Sequence, residues 1–296
     1  MKCTVCASSN VKRAFQHSGY QLFRCNECGH LWADGRSPGG AAYDAAYYNS
    51  TADPDAEATG YSDYLGTLDR RVKGFRDRVD QIEAFLGRRG RLLDYGCAVG
   101  ACVKAAKDAG WDAIGYERSE WAAAYGHKTL DVEIVDGESF DESFRASEPF
   151  DVVTLWDVIE HVDGPREVLD SIARVLRPGG VIAVNTVNAS SVGARLAGRE
   201  WRHLAPPFHL QYFTRASLQR LIVQAGFEIA RVSMNGVMFT SAKRSGKVPL
   251  PLSCIDSVMT HWRMRPVAKA LNLLDEIEII AVLPQNGPRR GADRAK

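Results

Sequence analysis

LLDYGCAVG, residues 92–100, passes from apolar to acidic to almost bare of side chains, and that passage decides the fold. The first part reads as a short buried strand that closes on Asp94. Gly96, Ala98 and Gly100 keep the following turn free of bulk, and VGACVKAAKDAG reads as a helix ending at Gly110. A strand, a bare turn and a helix in that order open a nucleotide-binding α/β sheet, because a ligand can then approach the backbone and the helix N-terminus. A second strand, WDAIGYE, ends in Glu117, roughly 20 residues beyond the turn, where such sheets place the acid that accepts both ribose hydroxyls. Two strands, two acids and one tight turn specify an adenosine-containing ligand.

Charge sign arbitrates between cofactors of that kind. The dinucleotide pattern G-x-G-x-x-G requires glycine where this chain has Ala98, and Asp94, just ahead of Gly96, repels a pyrophosphate but can organise a cationic amino-acid group. The sulfonium cofactor S-adenosylmethionine is therefore favoured over NAD. The 296 residues, 45% hydrophobic and 25% charged, suffice for one large domain with a satellite or for two domains. Lys plus Arg (37) against Asp plus Glu (36) leaves a formal charge of +1, so no global field draws the chain to nucleic acid or an anionic membrane. No apolar run approaches the roughly 18–20 residues that span a bilayer, and MKCTVCASSN lacks the apolar stretch of a secretory signal. The expectation is a soluble, cytoplasmic protein.

Four of the seven cysteines, Cys3, Cys6, Cys25 and Cys28, form two C-x2-C pairs separated by residues 7–24. That spacing suits a structural zinc ion, each pair presenting two sulfurs on one side of a tight knuckle. Gly29 supplies the left-handed turn after the second pair, and VKRAFQHSGYQLFRC reads as a hairpin around Ser18 and Gly19, which makes residues 1–36 a zinc ribbon. His17 and His30 are spare ligands, since four thiolates already complete the shell. A redox pair is the weaker alternative.

Residues 37–85 form a linker and a leading helix. No Lys or Arg occurs from Ser37 to Leu68, while Asp44, Asp53, Asp55, Glu57 and Asp63 gather beside Tyr43, Tyr47, Tyr48, Tyr61 and Tyr64. Two readings stand: tyrosines that pack one domain on the other, or a lid over a ligand. The helix DRRVKGFRDRVDQIEAFLG carries Val72, Phe75, Val79, Ile82 and Phe85 at helical spacing.

Further on, FDVVTLWDVIEHVDGPREVLDSIARVLRPGGVIAVNTVN (150–188) reads as strand, loop, helix 165–176, a turn at Pro178, Gly179 and Gly180, and another strand. Together with LLDYGCAVG and GYERSEWAAAYG, this segment resembles the class I S-adenosylmethionine-dependent methyltransferases. The resemblance implies a Rossmann-like α/β fold over residues 86–296: a seven-stranded, mostly parallel sheet with helices on both faces and an antiparallel last strand, EIEIIAVLP. It places the cofactor across the carboxyl ends of the strands. Asp94, Gly96, Ala98 and Gly100 line the methionine end, Glu117 holds the ribose, Gly137 and Glu138 approach the adenine, and Trp156 and Asp157 border the methyl group. Residues 237–275 interrupt the last two strands as a helical insertion. Cys97, Cys102, Trp201 and LQRLIVQAGFEI are expected to pack in the core.

The ribbon ahead of this core is similar to the layout of zinc-ribbon methyltransferases of bacterial polysaccharide and natural-product pathways. Among them the deoxysugar C-methyltransferases carry a segment resembling PPFHLQYFT, in which His209 falls on their catalytic histidine. Pro206, Pro207 and Phe208 stand where that family has Tyr and Glu, which sets O-methylation level with C-methylation. The acceptor is expected to be a small molecule: a sugar, a polysaccharide precursor or a natural product. Deprotonating it suits a histidine, with His209 and His161 as candidates and His203 as an outsider. Two other classes are retained. An RNA methyltransferase would use the ribbon and the basic residues Lys243, Arg244, Lys247, Arg263, Arg265 and Lys269, although the neutral total charge disfavours nucleic acid; a non-catalytic scaffold would bind the cofactor without turnover.

Overall fold

A computed structural model of the chain describes residues 1–48, 63–236, 267 and 272–286. The chain opens with Val11–His17 (β1), Tyr20–Cys25 (β2) and Leu31–Ala33 (β3), followed by the short helix Ala45–Tyr48 (α1) and the long helix Leu68–Leu86 (α2). Alternating elements then follow: Arg91–Tyr95 (β4), Ala101–Asp108 (α3), Asp112–Glu117 (β5), Glu120–Leu130 (α4), Ile134–Asp136 (β6), Phe140–Phe144 (α5), Phe150–Trp156 (β7), Pro165–Val175 (α6) and Leu176–Val187 (β8). The remaining described elements are Val192–Ala197 (α7), Gln211–Tyr212 (β9), Arg215–Gln224 (α8), Glu228–Asn235 (β10) and Glu276–Val282 (β11).

Seven strands make the large sheet in the order β10-β11-β8-β7-β4-β5-β6. β4 through β8 pair in parallel, whereas β11 inserts antiparallel between β8 and β10. This is the expected α/β architecture with its antiparallel last strand. All seven residues of β7 are buried, because helices cover both faces of a parallel sheet and leave no solvent side for alternation. Strand order reverses between β4 and β7, so the carboxyl ends of those strands open a crevice.

The covering helices follow from local sequence. In α6, Pro165 sits in the first turn, and Pro165, Leu169, Ile172 and Val175 fall at four- and three-residue spacing on the buried face. Truncating a fully buried side chain such as Ile172 to alanine costs about 2–5 kcal/mol. In α2, Val79 and Ile82 are buried, but Phe85 is 40% exposed. The predicted apolar stripe thus ends about one turn early, at Ile82, while the helix runs on to Gly87 (φ +70°), which turns the chain toward β4. Pro178, Gly179 and Gly180 do not form a separate turn. Phe150 pairs with Leu176 and Val152 with Val181, so residues 177–180 bulge from one continuous strand edge.

The smaller sheet runs β1-β2-β3-β9. β1 and β2 form the predicted hairpin, with Ser18 (φ +47°) and Gly19 (φ +80°) at its tip. Its last strand comes from far along the chain: Leu31 pairs with Tyr212 and Trp32 with Gln211. The cysteine-bearing hairpin is therefore hydrogen-bonded into the loop after the large sheet's fourth parallel crossover. Asp53, Asp55, Glu57 and Tyr61 of the linker, the basic residues between Lys243 and Lys269, and almost all of the 237–275 segment lie outside the described residues. No helix among the described residues is long and apolar enough to cross a membrane.

Candidate active site

A cavity of about 490 Å³ lies at the carboxyl ends of β4, β5 and β7, in the size range of small-molecule sites. Six carboxylate side chains line it, Asp94, Glu117, Glu138, Asp157, Asp163 and Glu167, against two guanidinium groups, Arg71 and Arg118. The balance favours a cation, as the sequence argument required.

Asp94 is 3% exposed at the end of β4 and accepts a 2.6 Å hydrogen bond from the Thr154 hydroxyl. Burial lifts its carboxyl to about 7, with the Glu117 charge adding to the rise and the Thr154 bond opposing it. Thr154 had no place in the sequence reading. The signal was there: it is the one hydroxyl in the otherwise apolar interior of FDVVTLW. Glu117 ends β5 and accepts from two backbone amides, Ala98 and Ser119, each at 2.9 Å. Burial raises its pKa, and those amides pull it back. Glu138 is an outer wall, held below the usual carboxylate range by Arg118 and accepting from the Gly40 amide at 3.2 Å. Gly137 does not line the cavity; its carbonyl accepts from the Tyr116 hydroxyl at 2.7 Å and so supports the wall from behind.

Protein neighbours also keep the turn bare. Gly96 lines the cavity at φ +72°, but a Cβ there would lie 2.7 Å from the Val158 side chain. Gly100, at φ +84°, does not line the cavity, and its Cβ would meet Val132 at 2.7 Å. Left-handed backbone and protein neighbours by themselves exclude side chains at both positions. Ala98 lines the cavity in the left-handed region (φ +52°), its backbone N–H donating to the Glu117 carboxylate.

Tyr43, Tyr47, Tyr48 and Tyr64 form the opposite wall, so the described linker tyrosines both pack and face the cavity. Tyr48 stacks on Trp121 at 5.5 Å, and the Arg71 guanidinium sits 3.9 Å over the Tyr64 ring. The Tyr43 carbonyl accepts from the Ser119 hydroxyl, which caps α4, at 2.5 Å. Trp156 lines the cavity, its indole N–H on Cys102 Sγ at 3.2 Å; Cys97 and Cys102 are buried, as expected. Trp201 is buried in a separate apolar cluster beside Tyr212.

His161 lines the cavity, and His209 does not. His209 stands behind it, ring centroids 4.7 Å apart, its Nδ1–H donating to the His203 carbonyl at 2.9 Å. His203 lies farther back, within 3.5 Å of Asp275. Burial pushes His161 down to about 4 and His209 well below its ordinary range, so both imidazoles are neutral near pH 7. Ligand atoms of Glu160, His161 and His209 lie within 4.8 Å of one another. Glu160 Oε1 and His161 Nδ1 are buried with no hydrogen-bond partner among the described residues. Burial, with the Asp157 charge adding to it, pushes the Glu160 carboxyl well above the usual carboxylate range, and the three side chains together form a donor set that suits a divalent cation.

The four ribbon cysteines converge separately. Their sulfurs lie within 4.8 Å of one another, with Cys3–Cys28 at 3.6 Å and Cys6–Cys25 at 3.5 Å. Backbone N–H groups of Val5 and Cys6 face the Cys3 sulfur, and those of Glu27 and Cys28 face Cys25. Such donors stabilise thiolates around a tetrahedral metal, so this set fits zinc. His17 and His30 are not part of it.

Residues 67–232 match the family model described as a methyltransferase domain. A ubiquinone biosynthesis O-methyltransferase of Thiobacillus denitrificans is 30% identical over 151 residues, 47% of this chain and 64% of that protein. One from Azoarcus sp. is 26% identical over 212 residues, 64% of this chain and 89% of that protein. The matched part thus spans under two thirds of the Thiobacillus relative. A solved S-adenosylmethionine-dependent methyltransferase from Archaeoglobus fulgidus superposes with a TM-score of 0.52 at 17% identity, covering 74% of this chain and 98% of that one, which speaks to the fold.

Proposed function

The chain belongs to the class I S-adenosylmethionine-dependent methyltransferases, and from that premise we propose that it moves a methyl group from S-adenosylmethionine to a hydroxyl oxygen of a small-molecule acceptor. The observation that carries this is the cavity itself: two buried acids at adjacent strand ends, Asp94 and Glu117, opposite a wall of tyrosines. When bound, the cofactor supplies a methyl group made electrophilic by its sulfonium. Asp94 holds the ammonium end, Glu117 the ribose hydroxyls, and the faces of Tyr43, Tyr47 and Tyr48 suit a cation while excluding water. His161, neutral and on the cavity wall, takes the acceptor proton, and His209, packed edge-on behind it, steadies the ring. Reaction then requires the acceptor oxygen within about 3–3.5 Å of the methyl carbon, which is a matter of positioning. Cys3, Cys6, Cys25 and Cys28 hold a structural zinc ion. Residues 1–36 act as the ribbon and 86–296 as the catalytic domain.

The names of the relatives support oxygen as the accepting atom. For the acceptor class, a sugar-linked or natural-product hydroxyl, the support is the resemblance of the ribbon-bearing layout alone. The experiment is a screen of phenols and sugar nucleotides with methyl-labelled cofactor: label appearing in an ether is the expected product. Label on carbon would move the reaction to C-methylation, and label transferred only to RNA would replace the reading.

A further inference from the structure

Gln211 is the first residue of β9, is 2% exposed, and uses every hydrogen-bonding position of its amide. Its Oε1 accepts from the Thr4 hydroxyl at 3.0 Å and from His30 Nε2 at 2.9 Å. Its Nε2 donates to the Val162 carbonyl at 3.0 Å and the Asp163 carbonyl at 3.3 Å. The orientation is fixed by chemistry: a flipped amide would set its oxygen against two carbonyl oxygens. Because the Gln211 oxygen can only accept, the His30 ring carries a proton on Nε2 in this contact.

The two ends of this amide belong to different parts of the molecule. Thr4 follows Cys3 in the first knuckle, and His30 follows the second knuckle by one residue, Gly29. Val162 and Asp163 end the loop that begins at Asp157 and carries His161, and all four line the cavity. The backbone of the same strand reinforces the link, since the Leu210 and Gln211 amides both donate to the Glu160 carbonyl at 2.8 and 2.9 Å. With the four cysteines converged, Thr4 and His30 stand together and both donate to Oε1.

We propose that Gln211 is a positioning residue through which the closed four-cysteine ribbon holds the loop 157–163, and with it His161, at the cofactor cavity. The ribbon then acts on cofactor binding as well as on folding. This rests on the methyltransferase reading for its functional meaning, while the coupling itself is structural.

Gln211→Glu separates the two ends. A carboxylate still accepts from Thr4 and His30 but can no longer donate to the loop carbonyls. Zinc content and hydrogen exchange of residues 157–163 are measured on the full chain, with S-adenosylhomocysteine affinity measured in parallel. The expected result is one zinc per chain in both proteins and loop exchange at least about tenfold faster in the variant. Removing zinc with a chelator speeds loop exchange in the wild type and adds nothing in Gln211→Glu. Thr4→Val, which cuts only the ribbon side, speeds the loop in the wild type but not in the Gln211→Glu background. Loop protection in Gln211→Glu equal to wild type, or a wild-type loop indifferent to zinc removal, overturns the proposal. Failure of the wild type to bind S-adenosylhomocysteine refutes the methyltransferase reading instead, while the exchange data still decide the coupling.

Discussion

Replacing Glu117 by alanine separates what this side chain does for the ligand from what it does for the fold. Its two oxygens each accept one backbone amide, from Ala98 in the left-handed turn and from Ser119 at the cap of α4. Each of those amides, left without a partner in a buried place, costs about 1–3 kcal/mol. The two together lower the unfolding midpoint by about 5–15 °C for a domain of this size. The ligand effect is separate. A hydrogen bond to a charged group contributes about 1.5–3 kcal/mol, so loss of the ribose contact weakens S-adenosylhomocysteine about 10- to 100-fold. Calorimetric titration at 15 °C, well below the shifted midpoint, with circular dichroism on the same sample, measures both. A variant that is folded and binds with wild-type affinity refutes the assignment of Glu117 to the ribose. Lowered stability with unchanged affinity would leave it as a turn-holding residue only.

Asp94, with its carboxyl lifted to about 7, is mostly neutral at pH 6 and mostly charged at pH 8. Its charged form pairs with the ligand's ammonium, so S-adenosylhomocysteine affinity rises about tenfold between those pH values and a proton is released on binding; Asp94→Asn should flatten the dependence, and an unchanged slope in that variant would assign it elsewhere. Gly96→Ala puts a Cβ 2.7 Å from Val158 in left-handed backbone, costing about 2 kcal/mol or more, and Val158→Ala in the same chain should recover part of the loss in thermal unfolding; no recovery would deny the steric cause. His161→Ala should lower turnover at least about 100-fold with S-adenosylhomocysteine affinity little changed, and His209→Ala should lower it less. The reverse order would make His209 the base.

The sheet was legible because its signals are local. Asp94 and Glu117 end consecutive apolar strands, and EIEIIAV is apolar enough to read as a buried strand without knowing its neighbours. The ribbon hairpin is equally local, with Ser18 and Gly19 at the tip between two short strands. What escaped depends on residues far apart in the chain. Gly96 is bare because of Val158 and Gly100 because of Val132, neither of which a reading of the turn itself can supply. The motif places His209 toward the acceptor, whereas the loop that carries it packs behind His161. The pairing of β3 with β9 was invisible for the same reason, since a two-residue strand has no periodicity to read.

Central to the account is a cavity whose acids select a sulfonium cofactor over a pyrophosphate. Equilibrium dialysis of the wild-type protein against labelled S-adenosylmethionine tests it most directly. The account predicts one molecule bound per chain, displaced by S-adenosylhomocysteine and untouched by excess NAD. Absence of binding to folded protein, or displacement by NAD, contradicts it.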